Sequence, residues 1–311
     1  MTCPICANES FWVISMACDT QAAQLRAEVG DLAAYEWRLC RRCGNAYPSH
    51  QPWTEVLARL WAANRADADL STDKKESAWA YRRSISCAGA VRSYRLFAPL
   101  ARRSGGRFID IGCGLGETVR VFAAHGWDAE GIDADPSTAP LHAELGIRAR
   151  IGQLEHADIG SGYDMIHIAH AVYFITDPMR FLRRVHTSLT PGGLLCVVLA
   201  DFLANADLAL PGYAHTFFPT GSSMRYTLAI AGFETLLSKK LSGSIFIAAR
   251  PTSNPVPPPV WPAAILALYR TKRIRHLLFG RPYLAVRAVA KRLLGRRSSM
   301  ADASPNEAVP L

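Results

Sequence analysis

The chain has 311 residues, of which half are hydrophobic and a fifth are charged. This is the composition of an ordinary globular protein, and a chain of this length buries enough surface to fold without disulfides, which excludes a fibrous, collagen-like or wholly disordered protein. The N-terminus has no basic region followed by an apolar run, and no stretch of about 20 nearly uncharged residues is present, so we expect a cytoplasmic protein without a membrane span.

The net charge of +9 is a property of the C-terminal region. Residues 251–311 carry ten Lys and Arg against two Asp and Glu, a net charge of +8, whereas the preceding 250 residues carry +1. A nearly neutral body gives no electrostatic indication of a nucleic-acid substrate, for which a basic surface is typical.

Four of the eight cysteines form two Cys-x-x-Cys pairs. Each pair can present two thiolates from one tight turn, and two such turns complete a tetrahedral zinc site. The interval between the pairs is longer than in the usual zinc ribbon, so we expect an insertion between them, and the helical pattern of residues 19–34 fits it. Free or packed cysteines are the alternative. The predicted zinc ligands are Cys3, Cys6, Cys40 and Cys43.

Further along the chain, helical patterns over residues 53–103 give way to an alternation of strands and helices from 107 to 250. This alternation predicts an α/β fold with a parallel sheet. The predicted strands are 107–111, 128–132, 147–150, 163–168, 193–200, 233–238 and 244–249. The predicted units are a zinc-ribbon-like segment at 1–50, a helical linker or cap at 51–103, the α/β domain at 104–250, a proline-rich linker at 251–262 and a basic amphipathic tail at 263–311.

A glycine-rich loop follows the first strand of the α/β domain. The strand ends at Asp110-Ile111, the loop reads Gly112-x-Gly114-x-Gly116, and a helix is predicted to begin near Glu117. The next strand ends at Asp133, 21 residues after Gly112. Glycines in this position let a ligand approach the backbone closely, and an acidic side chain at that distance can accept both ribose hydroxyls of a nucleoside.

Two residues distinguish the ligand class. A dinucleotide favours G-x-G-x-x-G, so that its pyrophosphate lies on the helix N-terminus. Here Glu117 follows the last glycine and is expected to place a carboxylate where a phosphate would lie. Asp110 before the loop suits the ammonium group of an amino acid. Together they predict S-adenosylmethionine and disfavour an NAD oxidoreductase.

With these residues the chain resembles a class I S-adenosylmethionine-dependent methyltransferase, and with the cysteine pairs it resembles bacterial small-molecule and sugar methyltransferases that have an N-terminal zinc-binding segment. The resemblance covers residues 104–250 and implies a Rossmann-like, seven-stranded sheet whose last strand is antiparallel. It implies cofactor contacts for Asp110, Gly112, Gly114, Gly116, Asp133, Gln153, Leu154 and Ala169.

The segment expected to face the acceptor departs from the pattern of the relatives. Relatives commonly have Glu-His after the fourth strand, where this chain has Tyr173-Phe174, and this leaves the substrate class open. A hydroxyl or carbon acceptor benefits from a base, and the candidates are His170, beyond the fourth strand, and His215, in the loop after the fifth. A packed histidine is the alternative for each. We expect O- or C-methylation of a small-molecule or glycan-type acceptor.

Two other functions stay open: a zinc-ribbon RNA methyltransferase, supported only by the basic tail, and a non-enzymatic S-adenosylmethionine-binding module.

The basic tail also predicts a contact with a partner outside the catalytic domain. Its charge and the helical spacing of its apolar residues favour an anionic membrane surface or an acidic partner for residues 262–296, which would make the protein peripheral to the inner membrane. A helix folded back on the body, or a solvated tail, is the alternative.

Overall fold

The computed structural model of this chain describes residues 2–17, 35–49, 72–204 and 215–280, with side chains in the first long helix from residue 83 onward. The helix predicted over 19–34, most of the pattern predicted from 53 to 71, and the tail beyond 280 lie outside these residues. In the described part, two β-sheets and six α-helices are present.

The smaller sheet is antiparallel and lies at the N-terminus. Its strands, in the order β1-β2-β3, are β1 (Phe11–Ala17), β2 (Tyr35–Cys40) and β3 (Ala46–Pro48). Both cysteine pairs lie at this sheet, the first before β1 and the second at the end of β2 and in the turn that follows it.

The larger sheet has seven strands in the order β6-β5-β4-β7-β8-β10-β9, and β10 is antiparallel to both of its neighbours. The predicted Rossmann-like methyltransferase sheet with an antiparallel last strand is therefore confirmed. The main difference is that one strand begins at Leu189, four residues before the predicted start. The strands are β4 (Arg107–Ile111), β5 (Asp128–Asp133), β6 (Ala149–Ile151), β7 (Tyr163–Ala169), β8 (Leu189–Ala200), β9 (Phe233–Leu241) and β10 (Ser244–Pro251).

Local sequence signals define several of the helices. The carboxylate of Asp177 caps one helix by accepting from the Arg180 N–H, with Pro178 at the first helical position. A reciprocal capping box between Thr220 and Ser223 begins another. No helix in the described ranges is both long and apolar enough to cross a bilayer. The helices are α1 (Thr72–Phe97), α2 (Glu117–Ala124), α3 (Ala139–Glu144), α4 (Pro178–Ser188), α5 (Gly221–Ile230) and α6 (Pro262–Arg275).

A separate hydrophobic cluster joins the N-terminal sheet to α6. Tyr269 stacks on Phe202 with ring centroids 5.1 Å apart, and both are buried with Trp37 of β2. A Cβ atom on Gly44 would lie 2.6 Å from the Ile265 Cδ1 atom, so the turn that carries the second cysteine pair packs directly on α6. The start of the segment predicted as a basic tail therefore packs against the body through Ile265, Leu266 and Tyr269.

The N-terminal sheet is also bonded to the larger domain. Ala46 and Phe218 exchange two backbone hydrogen bonds, of 3.1 and 2.7 Å. The Asn45 amide donates to the Thr227 hydroxyl of α5 at 3.1 Å. These bonds connect the cysteine-bearing turn to the segment that leads into α5.

Candidate functional site

A cavity of about 800 Å³ opens at the carboxyl ends of β4, β5 and β7, beneath α1. The strand order reverses between β4 and β7, and open α/β sheets form their ligand crevices at this point. Of the residues predicted from the sequence, Gly116 and His215 do not line the cavity. Those that do are Asp110, Gly112, Gly114, Asp133, Gln153, Leu154, Ala169 and His170.

The glycines of the loop have different roles. Gly112 has a φ of +77°, and a Cβ there would lie 2.6 Å from the Ala171 Cβ, so this position admits no side chain. Gly116, with a φ of +79°, packs against Ile147 and precedes α2. Gly114 has a φ of +52° and lines the cavity, and a Cβ there would meet nothing within 4 Å. This last glycine leaves open space where a ligand can approach the backbone.

The Asp133 carboxylate is fixed by two backbone donors. Its Oδ2 accepts from the Gly114 N–H at 2.7 Å, and its Oδ1 accepts from the Asp135 N–H at 2.9 Å. Burial raises the pKa of Asp133, and the two N–H donors act in the opposite direction. Each oxygen keeps a further lone pair, so the group can still accept two hydroxyls from a ligand.

Asp110 belongs to a hydrogen-bonded chain of three buried side chains. Its Oδ1 lies 2.7 Å from the His167 Nδ1, and the His167 Nε2 lies 3.1 Å from the Ser93 hydroxyl. All three side chains line the cavity. These hydrogen bonds connect β4, β7 and α1 at one point.

The Glu117 carboxylate does not lie where a phosphate would. It is buried between Arg83 of α1, at 2.8 Å, and Arg120, at 2.7 Å, and it does not line the cavity. Two guanidinium groups draw the side chain away from the loop, which corrects the expectation from the sequence. Its role is to attach α1 to the N-terminus of α2.

Arg92 is a site residue that the sequence analysis did not identify. It lies on α1 and contributes a positive charge to a cavity whose acidic lining residues are Asp110, Asp133, Asp135 and Glu155. No motif surrounds it, and the sequence indicated only that this region is helical. Its place in the site depends on how α1 lies over the sheet.

His170 and His215 lie on two sides of Tyr173. His170 lines the cavity, has a φ of +54°, which is uncommon for a residue other than glycine, and its Nδ1 lies 2.9 Å from the Tyr173 hydroxyl. Burial, and secondarily His167, lowers its pKa. His215 stacks on the Tyr173 ring at 4.7 Å, and burial, with a smaller contribution from His170, lowers its pKa to about 3.

The four paired cysteines converge at a separate point. The Cys3 and Cys43 sulfurs are 3.6 Å apart, those of Cys6 and Cys40 are 3.5 Å apart, and all four sulfurs lie within 4.8 Å of one another. Tetrahedral zinc with Zn–S bonds of about 2.3 Å places its sulfurs about 3.8 Å apart, so the donor set fits this metal. The Asn45 amide also donates to the Cys43 sulfur, at 3.3 Å.

The strand order, the glycine loop and the paired acidic residues define a class I S-adenosylmethionine-dependent methyltransferase. A family model described as a methyltransferase domain matches residues 79–238. This is half of the chain, and the chain therefore belongs to this methyltransferase family.

Two curated relatives are named ubiquinone biosynthesis O-methyltransferase. The protein from Azorhizobium caulinodans is 31% identical over 162 residues, which are 46% of this chain and 63% of the relative. The protein from a Bradyrhizobium species is 37% identical over 100 residues, 30% of this chain and 40% of the relative. The chain thus matches about half the length of these relatives.

Among solved structures, the 1,6-didemethyltoxoflavin-N1-methyltransferase of Burkholderia thailandensis has a TM-score of 0.48 at 21% identity, covering 67% of this chain and 96% of that one. An S-adenosylmethionine-dependent methyltransferase from Mesorhizobium loti has a TM-score of 0.45 at 18% identity, covering 50% and 96%. Because these scores are low, the assignment depends on the family match and the strand order.

We expect Gly114→Ala to weaken S-adenosylmethionine binding by roughly tenfold, since the added methyl group enters the space left for the ligand. Gly126→Ala is the matched control, because Gly126 also has a positive φ and no atom within 4 Å of its Cβ position but lies in the turn after α2. Isothermal titration calorimetry should show near-normal affinity for the control. Normal affinity in Gly114→Ala would contradict this placement of the cofactor.

Proposed function

We propose that this chain transfers a methyl group from S-adenosylmethionine to a hydroxyl of a small, largely apolar acceptor. One observation supports it above the others: the carboxylates suited to the cofactor and the imidazole of His170 line the same cavity. Ligand pockets of drug-sized molecules occupy roughly 300–1,000 Å³, so a volume of about 800 Å³ accommodates the cofactor together with a small acceptor.

In this proposal each polar part of the cofactor has a partner. Asp110 binds the ammonium group, Asp133 accepts the ribose hydroxyls, and Arg92 pairs with the carboxylate. Gln153 and Leu154 flank the adenine. The Ala169 position, at the end of β7, lies where the cofactor meets the acceptor. The cofactor supplies an electrophilic methyl group on a sulfonium, and the protein supplies orientation and a dry environment.

His170 acts as the base. With its proton on Nδ1, the imidazole donates to Tyr173 and keeps the Nε2 lone pair for the acceptor. His170 removes the hydroxyl proton as the acceptor oxygen bonds to the methyl carbon and the carbon–sulfur bond breaks. The products are the methyl ether and S-adenosylhomocysteine. His215 does not line the cavity but stacks on the Tyr173 ring, so its role in this proposal is to hold Tyr173 in place.

The rest of the cavity wall favours an apolar acceptor. It includes Ile85, Phe174, Ile175 and Phe246, which offer no side-chain hydrogen-bonding groups to the many hydroxyls of a glycan. The curated relatives are named as O-methyltransferases of ubiquinone biosynthesis. Both observations support O-methylation of a small aromatic or aliphatic hydroxyl compound over a sugar acceptor.

We expect His170→Gln to lower kcat by about 10²- to 10⁴-fold, the usual contribution of a general base. The assay uses methyl-labelled cofactor with catechol and with a cell metabolite extract as acceptors. Because the neutral imidazole is the base and its pKa is lowered, wild-type kcat/KM should hold through pH 7 and fall only below the ordinary histidine value of about 6.5.

His215→Gln is the control for this substitution and should lower kcat much less. Cofactor affinity should be similar in both variants. If His170→Gln methylates every accepted substrate at the wild-type rate, another group is the base. If the wild-type chain binds the cofactor but methylates no acceptor, the chain is better described as a non-enzymatic S-adenosylmethionine-binding module.

The four cysteines, we propose, bind one structural zinc ion. Four thiolates leave no open coordination position, so such an ion stabilises the fold and takes no part in methyl transfer. Through Asn45, which donates to both Cys43 and Thr227, the metal site is connected to α5. The zinc therefore holds the N-terminal sheet against the catalytic domain.

Elemental analysis of purified protein should find about one zinc per chain. Cys43→Ser should lose most of this zinc and unfold at a lower temperature, because metal binding contributes directly to folding. Cys87→Ser is the control, since Cys87 lies on α1 outside the cluster, and it should keep its zinc. A folded wild-type protein free of metal would contradict the assignment.

We also propose that α6 places the protein on an anionic membrane surface. The face of α6 opposite its buried residues exposes Leu268 and Ile274, and Leu278 follows in the next turn. Arg270 and Arg275 are exposed beside them. Apolar side chains flanked by basic ones favour an anionic bilayer interface, where each Arg or Lys contributes about 1 kcal/mol.

We expect the full-length chain to cosediment with vesicles that contain phosphatidylglycerol and not with phosphatidylcholine vesicles, and binding should fall as salt rises. Leu268→Asp combined with Leu278→Asp should abolish binding. Leu236→Asp, on an exposed residue of β9, is the control and should bind normally. Absence of vesicle binding at low salt would contradict the membrane contact and leave an acidic partner as the alternative.

A further inference from the structure

We infer that His167 and Ser93 are positioning residues that orient the Asp110 carboxylate toward the ammonium group of the cofactor. The inference rests on the proposed binding of S-adenosylmethionine and adds two residues that no motif identifies. His167 lies within β7, in register with Asp110 on the adjacent strand β4. Ser93 comes from α1, on the opposite side of the imidazole.

The chemistry of the three side chains determines which atom donates in the hydrogen bond between His167 and Asp110. A carboxylate only accepts hydrogen bonds, so the His167 Nδ1 that lies 2.7 Å from the Asp110 Oδ1 must carry the imidazole proton. The His167 Nε2 lies 3.1 Å from the Ser93 hydroxyl, a group that can either donate or accept. Both imidazole nitrogens therefore have a hydrogen-bond partner, Asp110 on β4 and Ser93 on α1.

The second oxygen of Asp110 is left for a ligand. In the described part of the chain no donor reaches its Oδ2, although the residue is only 2% exposed and lines the cavity. Buried carboxylates are stable only when their oxygens have partners, so an ammonium group that enters the cavity finds an acceptor already oriented. The bond from His167 prevents the carboxylate from rotating away.

Aromatic packing holds the imidazole in place. The His167 ring lies 6.1 Å from the Phe97 ring and 6.3 Å from the Phe108 ring, centroid to centroid. Since this surrounding is apolar, a phenylalanine can occupy the position of His167 and remove both hydrogen bonds. An asparagine can place its amide N–H near the position of Nδ1 and keep the bond to Asp110.

Calorimetry with two ligands tests the inference. S-Adenosylmethionine has the amino-acid group, and 5′-methylthioadenosine lacks it but keeps the adenosine. We expect His167→Phe to weaken S-adenosylmethionine binding by roughly tenfold and to leave methylthioadenosine binding within about twofold, because one charge-assisted contact is lost. His167→Asn should recover most of the lost affinity, and Ser93→Ala should have a smaller effect in the same direction.

The two ligands separate the possible failures. If His167→Phe weakens both ligands equally, His167 only supports the fold of the cavity, and the inference is wrong. Unchanged S-adenosylmethionine affinity in His167→Phe would overturn it as well. If the wild-type chain binds neither ligand, the proposed cofactor site itself fails, whatever the variants do.

Discussion

The hydrogen bond from the Gly114 N–H to the Asp133 carboxylate closes the glycine loop over the end of β5, and the site depends on it. With the loop closed in this way, Gly112 can lie against Ala171 and Gly114 faces the cavity without a side chain. The same carboxylate also accepts from Asp135, which fixes its orientation. These bonds therefore fix the glycine loop and the end of β5 to each other at the cavity wall.

The described part of the molecule has three clusters of buried apolar residues, one on each face of the seven-stranded sheet and a third beside the N-terminal sheet. The third cluster joins β2, the turn after β8 and α6 through Trp37, Phe202 and Tyr269. A charge count or a run of prolines marks a change of composition, but only the burial of an apolar face determines whether a segment is part of the body. α6 packs against the body through its buried apolar face, although Arg270 and Arg275 are exposed.

The features that could be predicted from the sequence are those encoded within a short stretch of it. The strand patterns, the glycine loop with its acidic residues and the spacing of the cysteines are each contained in a short window, and all of them are found in the structure. Contacts between distant segments could not be predicted. Ser93 and His167 are 74 residues apart, and the partners of Glu117 come from α1 and α2. The separation of His215 from the cavity likewise depends on how its loop packs on Tyr173.

Because Ala46 and Phe218 are paired through their backbones, the two sides of the cavity are held in place by different parts of the structure. The cofactor half is formed by the parallel sheet and its loops. The segment from His215 to Phe218 packs against Tyr173 beside the proposed acceptor, and it is bonded to the first residue of β3, Ala46, shortly after the second cysteine pair. If the cysteines bind zinc and the acceptor binds beside Tyr173, as we propose, removal of the metal would disturb the acceptor side of the cavity before the glycine loop. Choice of acceptor and retention of cofactor would then be separable properties.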